Sequence, residues 1–237
     1  MLDLRLDAAS DADGRLVLLH ALPVWQHAVH GTVRGMELWT AAERQGRSAD
    51  LQSWTLRRAC RALAGLDDDR IGVVVGLPAG HVHPDGLAEK VAAALADAGL
   101  DPSRLVLTFT EETLLTAPAT FVPELEAARS TGVRFCLDNY GKGHSLFALL
   151  ARVSLDMVRV DLTALASRDD TDRALQVLTA IVRTTSSFGL TTIAGGIGTP
   201  DLREAVVAAG VQLVHGRGEP HQLTVDEVAA ALAVPAL

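Results

Sequence analysis

Short apolar runs alternate along this chain with longer stretches in which apolar side chains recur every three or four positions. The first pattern predicts strands and the second predicts helices. Residues 1–14 read as polar and turn-rich, after which residues 15–22 (RLVLLHAL) and 28–39 (AVHGTVRGMELW) form two β-like runs. Strands so close in sequence predict a hairpin-like start, because a parallel return needs a crossover of about a dozen residues or more. The rhythm then changes. Helices are expected over residues 50–66, 85–99, 120–131, 145–151, 171–188, 199–209 and 225–232. Strands are expected over residues 71–77, 104–109, 135–138, 157–162, 192–194 and 211–215. In the first helix Leu51, Trp54, Leu56, Ala59 and Leu63 keep helical spacing, and Thr199-Pro200 is a helix start with a hydroxyl cap and a proline in the first turn. Strands alternating with helices predict a mostly parallel sheet of α/β class, and this number of units favours a closed barrel.

Composition changes this picture little. With 237 residues, of which 49% are hydrophobic, the chain is expected to form one domain, residues 1–237, around one large core. A net charge of −8 without a basic stripe argues against a nucleic-acid surface. The amino terminus lacks a signal-peptide pattern and no apolar run reaches about 18 residues, so a cytoplasmic protein without a membrane span is expected. Cys60 and Cys136 both fall in buried-looking positions and read as small apolar side chains rather than as a disulfide or metal site.

The most informative stretch is FCLDNYGKGHSL, residues 135–146. Alternation puts Cys136 and Asp138 on one face and Phe135 and Leu137 on the other, while Gly141 and Gly143 open a loop. Asp138 therefore stands where a strand stops, the position at which α/β barrels place their chemistry; capping of the next helix is the plainer alternative.

Five short motifs carry a resemblance. Asp101-Pro102-Ser103-Arg104-Leu105 with Thr110-Glu111, Leu137-Asp138-Asn139-Tyr140-Gly141-Lys142-Gly143, Asp156-Met157-Val158-Arg159-Val160-Asp161, Ile193-Ala194-Gly195-Gly196-Ile197-Gly198-Thr199 and Val214-His215-Gly216 occur in order. Together they resemble the EAL domain, with Gly35-Met36-Glu37-Leu38-Trp39 at the name-giving motif, and the chain looks like a stand-alone, degenerate member. The resemblance implies a modified TIM-like (β/α)8 barrel with one antiparallel strand. In active members it implies hydrolysis of cyclic di-GMP to linear pGpG with two Mg²⁺ or Mn²⁺ ions, which several carboxylates must hold against their mutual repulsion.

Carried over residue by residue, the resemblance leaves a reduced site. Glu37 matches the metal-binding Glu of the name motif and Asp138 the first of the paired acids, so these two are the candidate metal ligands. The family's metal-binding Asn falls on Gly76, and three further acids fall on Thr108, Asn139 and Gly195. The catalytic Lys position holds Arg159 and the Gln near the last strand is His215; the phosphate-contacting Arg aligns with Ala41. Arginine stays protonated and cannot act as a base, though it neutralises phosphate. Glu37, Asp138 and Arg159 are thus vestigial catalytic positions, and Glu37, Asp138, Asn139, Arg159 and His215 are candidates for a cyclic di-GMP pocket. Glu111 matches a residue that steadies the loop after the paired acids.

Two functional classes follow. In the first the chain is a non-catalytic module of cyclic di-GMP signalling that binds a protein regulator or forms a homodimer through residues 142–152, with weakened nucleotide binding and no cofactor. In the second it is a phosphodiesterase with a reduced site, using Mg²⁺ or Mn²⁺. Other residues stay open: His81 and His83 read as a metal pair or as solvated loop histidines. Trp25, Trp39 and Trp54 read as a stacking platform or as packing.

Overall fold

The computed structural model describes residues 1–141, 150, 152–165, 171–215 and 222–233. Nine strands are placed: β1 (Leu2–Ser10), β2 (Leu16–His27), β3 (Gly31–Arg34), β4 (Gly72–Gly76), β5 (Leu105–Thr110), β6 (Arg134–Asp138), β7 (Met157–Asp161), β8 (Thr191–Gly195) and β9 (Leu213–His215). The helices among the described residues are α1 (Gly35–Arg44), α2 (Ser48–Ala64), α3 (Leu87–Ala98), α4 (Glu111–Thr116), α5 (Phe121–Arg129), α6 (Leu162–Leu165), α7 (Thr171–Ser187), α8 (Pro200–Ala208) and α9 (Val225–Leu232). Strands β2 and β4 to β9 run parallel, and β1 closes the ring by pairing antiparallel with both β2 and β9. Eight strands therefore make a closed mixed barrel, and β3 extends β2 outside it. The expected barrel with one antiparallel strand is the observed architecture.

The amino-terminal elements differ from the sequence reading. Residues 1–14 do not form a turn-rich lead but β1, because Leu2, Leu4 and Leu6 alternate with Asp3, Arg5 and Asp7 and the charges mask a period of two. Leu4 and Leu6 are each 1% exposed, which explains why so polar a segment holds a strand. The run 28–39 is not one strand: β3 ends at Arg34, Gly35 takes a left-handed φ of 57°, and α1 begins. Leu38, Trp39 and Ala42 then pack with Val33 and Leu51. Of the helix expected over residues 145–151, only Leu150 is described, half-buried against the main core; Leu146, Phe147 and Leu149 lie outside the described residues.

Strand alternation sorts side chains into two layers. One inward residue from each barrel strand, Ala9, Leu18, Val74, Val106, Cys136, Met157, Ile193 and Leu213, joins a single cluster that plugs the barrel. The outward residues, among them Val73, Leu107, Phe135 and Leu137, pack with α2, α3 and α5 in the main core. There Phe109 meets Phe121 and Phe135 edge-on at 5.9 Å each. Cys60 and Cys136 are free and buried, and burial pushes both thiols up to about 12, so both serve as packing. Among the described residues no helix is long and apolar enough to cross a membrane.

At the foot of β4 the chain is packed too closely for any side chain. A Cβ on Gly72 would lie 2.9 Å from Leu18 Cδ2 and 3.0 Å from the Arg104 carbonyl oxygen, whereas one on Gly198 would meet nothing within 4 Å. Gly72→Ala is expected to cost about 1–3 kcal/mol, since backbone cannot move aside. Thermal melts should show a Tm lowered by roughly 2–4 °C per kcal/mol. Gly198→Ala should leave it unchanged, and equal melting of both variants would contradict the packing described.

Candidate functional site

The parallel strands all end at the same mouth, and their last inward residues stand above the apolar plug. Register places Gly76 beside Thr108, Thr110 beside Asp138, and Asp161 beside Gly195. The mouth holds a cavity of about 520 Å³. Gly76, Thr108, Asp138 and Arg159 line it, the mouth positions expected of them, and Asn139, which follows the end of β6, lines it as well. Gly195 stands at the same end, where its Cβ would lie 4.0 Å from His215 Nδ1.

Glu37 is the exception. It lies in the first turn of α1, exposed, while Met36 and Trp39 of that helix face the cavity and Glu37 is not among the residues that line it. The expected position of Glu37 in the mouth is therefore corrected: β3 stops at Arg34, and helical spacing turns Glu37 away from the face carrying Met36 and Trp39.

Asp138 is 8% exposed and its carboxylate is fully engaged. Arg159 donates to it in a two-pronged fork, Nε to Oδ1 at 2.6 Å and Nη2 to Oδ2 at 2.7 Å, and the Asn139 amide donates to Oδ1 at 2.6 Å. Burial alone would push this carboxyl up, but the Arg159 charge and its hydrogen bonds outweigh burial and hold it below its ordinary value. Asn139 takes a positive φ of 54°, in the left-handed region that asparagine adopts more readily than most residues.

The guanidinium is braced from the far side. Its Nη1 lies 3.4 Å from His215 Nδ1, and His215 Nε2 lies 3.4 Å from Asp7 Oδ2, in ion-pair range but not in hydrogen-bond alignment. His20 sits 5.8 Å from the His215 ring. Burial, then the Arg159 charge, then His215, push His20 down to about 3, so it is neutral at ordinary pH. His215 is lowered too, chiefly by burial and then by Arg159. The row Asp7, His215, Arg159, Asp138 thus crosses the mouth from β1 to β6. Asp7 and His20 were not singled out in the sequence; the alternation of β1 was the signal for the first, and the inward face of β2 for the second.

The charges that remain around the cavity are few. Glu112 on α4 is the other acid that lines it. Among the described residues no three His, Cys, Asp or Glu side chains are grouped so as to hold one metal ion. His81 and His83 do not form a pair: His81 is buried, 3.2 Å from Glu43 and stacked on Trp39, whereas His83 is exposed and held through its backbone by Gln52. Glu111 opens α4 in a buried position, beneath a cap in which Thr110 Oγ1 accepts from the Thr113 amide.

Comparison with known proteins now decides the family. A family model described as "EAL domain" matches residues 9–218, most of the chain. The chain belongs to the EAL-domain family. Among relatives of this EAL domain, the Pseudomonas aeruginosa protein named cyclic di-GMP phosphodiesterase NbdA is 32% identical over 208 residues, covering 86% of this chain and 27% of the relative. The Pseudomonas aeruginosa protein named bifunctional diguanylate cyclase/cyclic di-GMP phosphodiesterase MucR is 28% identical, covering 86% and 30%. The chain thus spans under a third of the length of these relatives. A solved structure of PaMucR phosphodiesterase in complex with c-di-GMP superposes with a TM-score of 0.82 at 23% identity, covering 96% of this chain and 94% of that one. The EAL domain of Mycobacterium smegmatis DcpA gives 0.77 at 23% identity, covering 99% and 100%. Both likenesses are of fold.

Two outcomes follow from the buried pair. Arg159→Met should destabilise the domain by about 3–5 kcal/mol, because it strands the Asp138 carboxylate. The double variant Arg159→Met/Asp138→Leu should recover most of that loss in urea titration; a double variant as unstable as the single one would contradict it. The pH dependence has a definite sign. Unfolded chains protonate His20 near pH 6.5 whereas the folded protein resists until about pH 3, so the unfolded state binds more protons in that window and stability falls as pH drops through it. The slope should approach about 1.4 kcal/mol per pH unit, and His20→Gln should flatten it. Asp138 adds the same sign at lower pH, because its stabilising charge is lost as pH falls through its lowered value. Urea midpoints measured from pH 7 to about 3, below the ordinary carboxylate value, test both.

Proposed function

We propose that this EAL domain does not hydrolyse cyclic di-GMP and instead serves as a regulatory, protein-binding module in bacterial cytoplasmic signalling related to that messenger. The observation that carries this reading is the two-pronged grip of Arg159 on Asp138, at 2.6 and 2.7 Å. A carboxylate that already accepts three hydrogen bonds, two of them from one guanidinium, has little capacity left for a metal ion, and the adjacent positive charge repels a divalent cation.

The rest of the mouth supports the same reading. Two cations a few ångströms apart require several anionic oxygens, and with Glu37 on the outside the cavity offers Asp138 and Glu112. The positions that carry further ligands in active members hold Gly76, Thr108, Asn139 and Gly195. These residues do not fit a two-metal centre. A doubly charged cyclic dinucleotide meets one guanidinium, already neutralised, and an acidic rim. Without catalysis, the surface of the barrel remains to act, through a protein partner or a second copy of the chain.

The names of the relatives favour a second reading, a phosphodiesterase that converts cyclic di-GMP to pGpG with a reduced metal set. The two readings separate in one assay. Purified protein incubated with cyclic di-GMP and Mn²⁺, or Mg²⁺, is expected to release no pGpG above the protein-free rate. Metal-dependent turnover that disappears in Asp138→Ala would overturn the proposal and establish the second reading. Calorimetric titration with cyclic di-GMP, with and without Mn²⁺, is expected to show no saturable heat.

A further inference from the structure

A second cavity lies outside the barrel mouth, and its chemistry differs. It has a volume of about 740 Å³, sits where α1 and α2 meet the ends of β1 and β2, and shares no lining residue with the mouth. The link between the two helices, residues 45–47, contributes Gln45 and Arg47 to its lining. Its wall carries two half-buried indoles, Trp25 and Trp54, over an apolar base that includes Leu38. The indoles make no ring contact with each other; Trp25 is held edge-on by His27 at 4.5 Å. Two arginines stand on the rim. Arg47 holds Asp50 through its Nε at 3.2 Å. Arg57 is exposed, and no carboxylate among the described residues pairs with it.

The combination selects a ligand class. Indole faces stack on flat rings, and each such contact contributes about 1–3 kcal/mol. A free guanidinium beside them meets a phosphate or carboxylate with planar, two-pronged hydrogen bonds. The rim carries two cations against one anion, a local positive balance on a chain whose net charge is −8. The volume suits a small molecule of nucleotide size, within the usual range of about 300–1,000 Å³. We propose that this cavity is a binding site for a planar aromatic ring bearing an anionic group, of the nucleoside monophosphate class. The ring lies against Trp25 and Trp54 and the anion is held by Arg57 and Arg47. This does not depend on whether the barrel mouth is catalytic.

The test uses AMP as the probe, with adenosine and inorganic phosphate as its two halves, in isothermal titration of the full chain. AMP is expected to bind saturably, with a Kd below about 1 mM, and each half to bind at least about tenfold more weakly. Arg57→Glu, on the surface and harmless to folding, should weaken AMP at least about tenfold. Arg183→Glu, an equal charge change on α7, should leave it unaltered, and Trp54→Leu should reduce it where circular dichroism shows the variant folded. Absence of saturation, equal loss in both charge variants, or adenosine binding as tightly as AMP would each overturn the assignment.

Discussion

A carboxylate placed above a dry apolar plug has to be paired, and the rest of the mouth is arranged around that need. Below Asp138 lies the layer of eight inward apolar side chains, one from each barrel strand. An ionised acid in such a place carries a desolvation cost of several kcal/mol unless an opposite charge and hydrogen bonds offset it. Arg159, two positions up the neighbouring strand from Met157 of the plug, meets that demand from β7. Its own far side then needs support, and His215 and Asp7 stand there. The polar row is therefore one connected object: removing any member changes the electrostatics of the next.

The barrel makes this row possible through register. Because side chains alternate along a strand, a one-residue slip would move Asp138 to the outer face and put Leu137 into the mouth. The slip is prevented by packing on both sides, with Cys136 in the plug and Phe135 and Leu137 in the outer core. Asp156 adds a polar lock at the base of the same strand pair: it accepts the Phe135 amide at 2.7 Å and holds Arg129 at 2.8 Å. Position at the mouth is thus a consequence of interactions made at the foot of the strands.

This also explains which parts were legible in the sequence. The parallel strands β4 to β9 are nearly continuous apolar runs between amphipathic helices, and their boundaries were read to within about three residues. The mouth positions of Gly76, Thr108 and Arg159 followed from the resemblance, and alternation set Asp138 on the same face as Cys136. The amino-terminal part resisted for two physical reasons. In β1 the period of two is written in leucines and charges, because the charged residues of an antiparallel edge of the ring find partners such as His215 that lie far away in sequence. Around Gly35 a strand gives way to a helix without an intervening turn, so Met36, Leu38 and Trp39 satisfy either period and Glu37 was placed on the wrong side of the wall. Short helices α4 and α6 were missed because each is a single turn or two made of residues that also extend the preceding strand. The arginine fork could not be seen at all, since it joins residues 21 positions apart whose meeting depends on strand order.

The substitutions in the mouth are best understood as coupled rather than as separate losses. In a metal-bearing EAL site the carboxylates are balanced by the ions, and each acid is tolerable only while the positive charge is there. Remove the acids at the positions of Thr108, Asn139 and Gly195, and the ions lose their hold; the remaining Asp138 is then an unbalanced buried charge. A lysine in place of Arg159 would supply charge at one point, whereas the guanidinium supplies it as a planar fork that fits both carboxylate oxygens at once and cannot shed its proton. Arginine at position 159 is, on the proposed reading, the residue type that lets the Asp138 carboxylate stand without metal. On the proposed reading this is why the fold persists around a mouth whose chemistry has changed: the barrel kept its carboxylate and replaced the ion with a cation of its own.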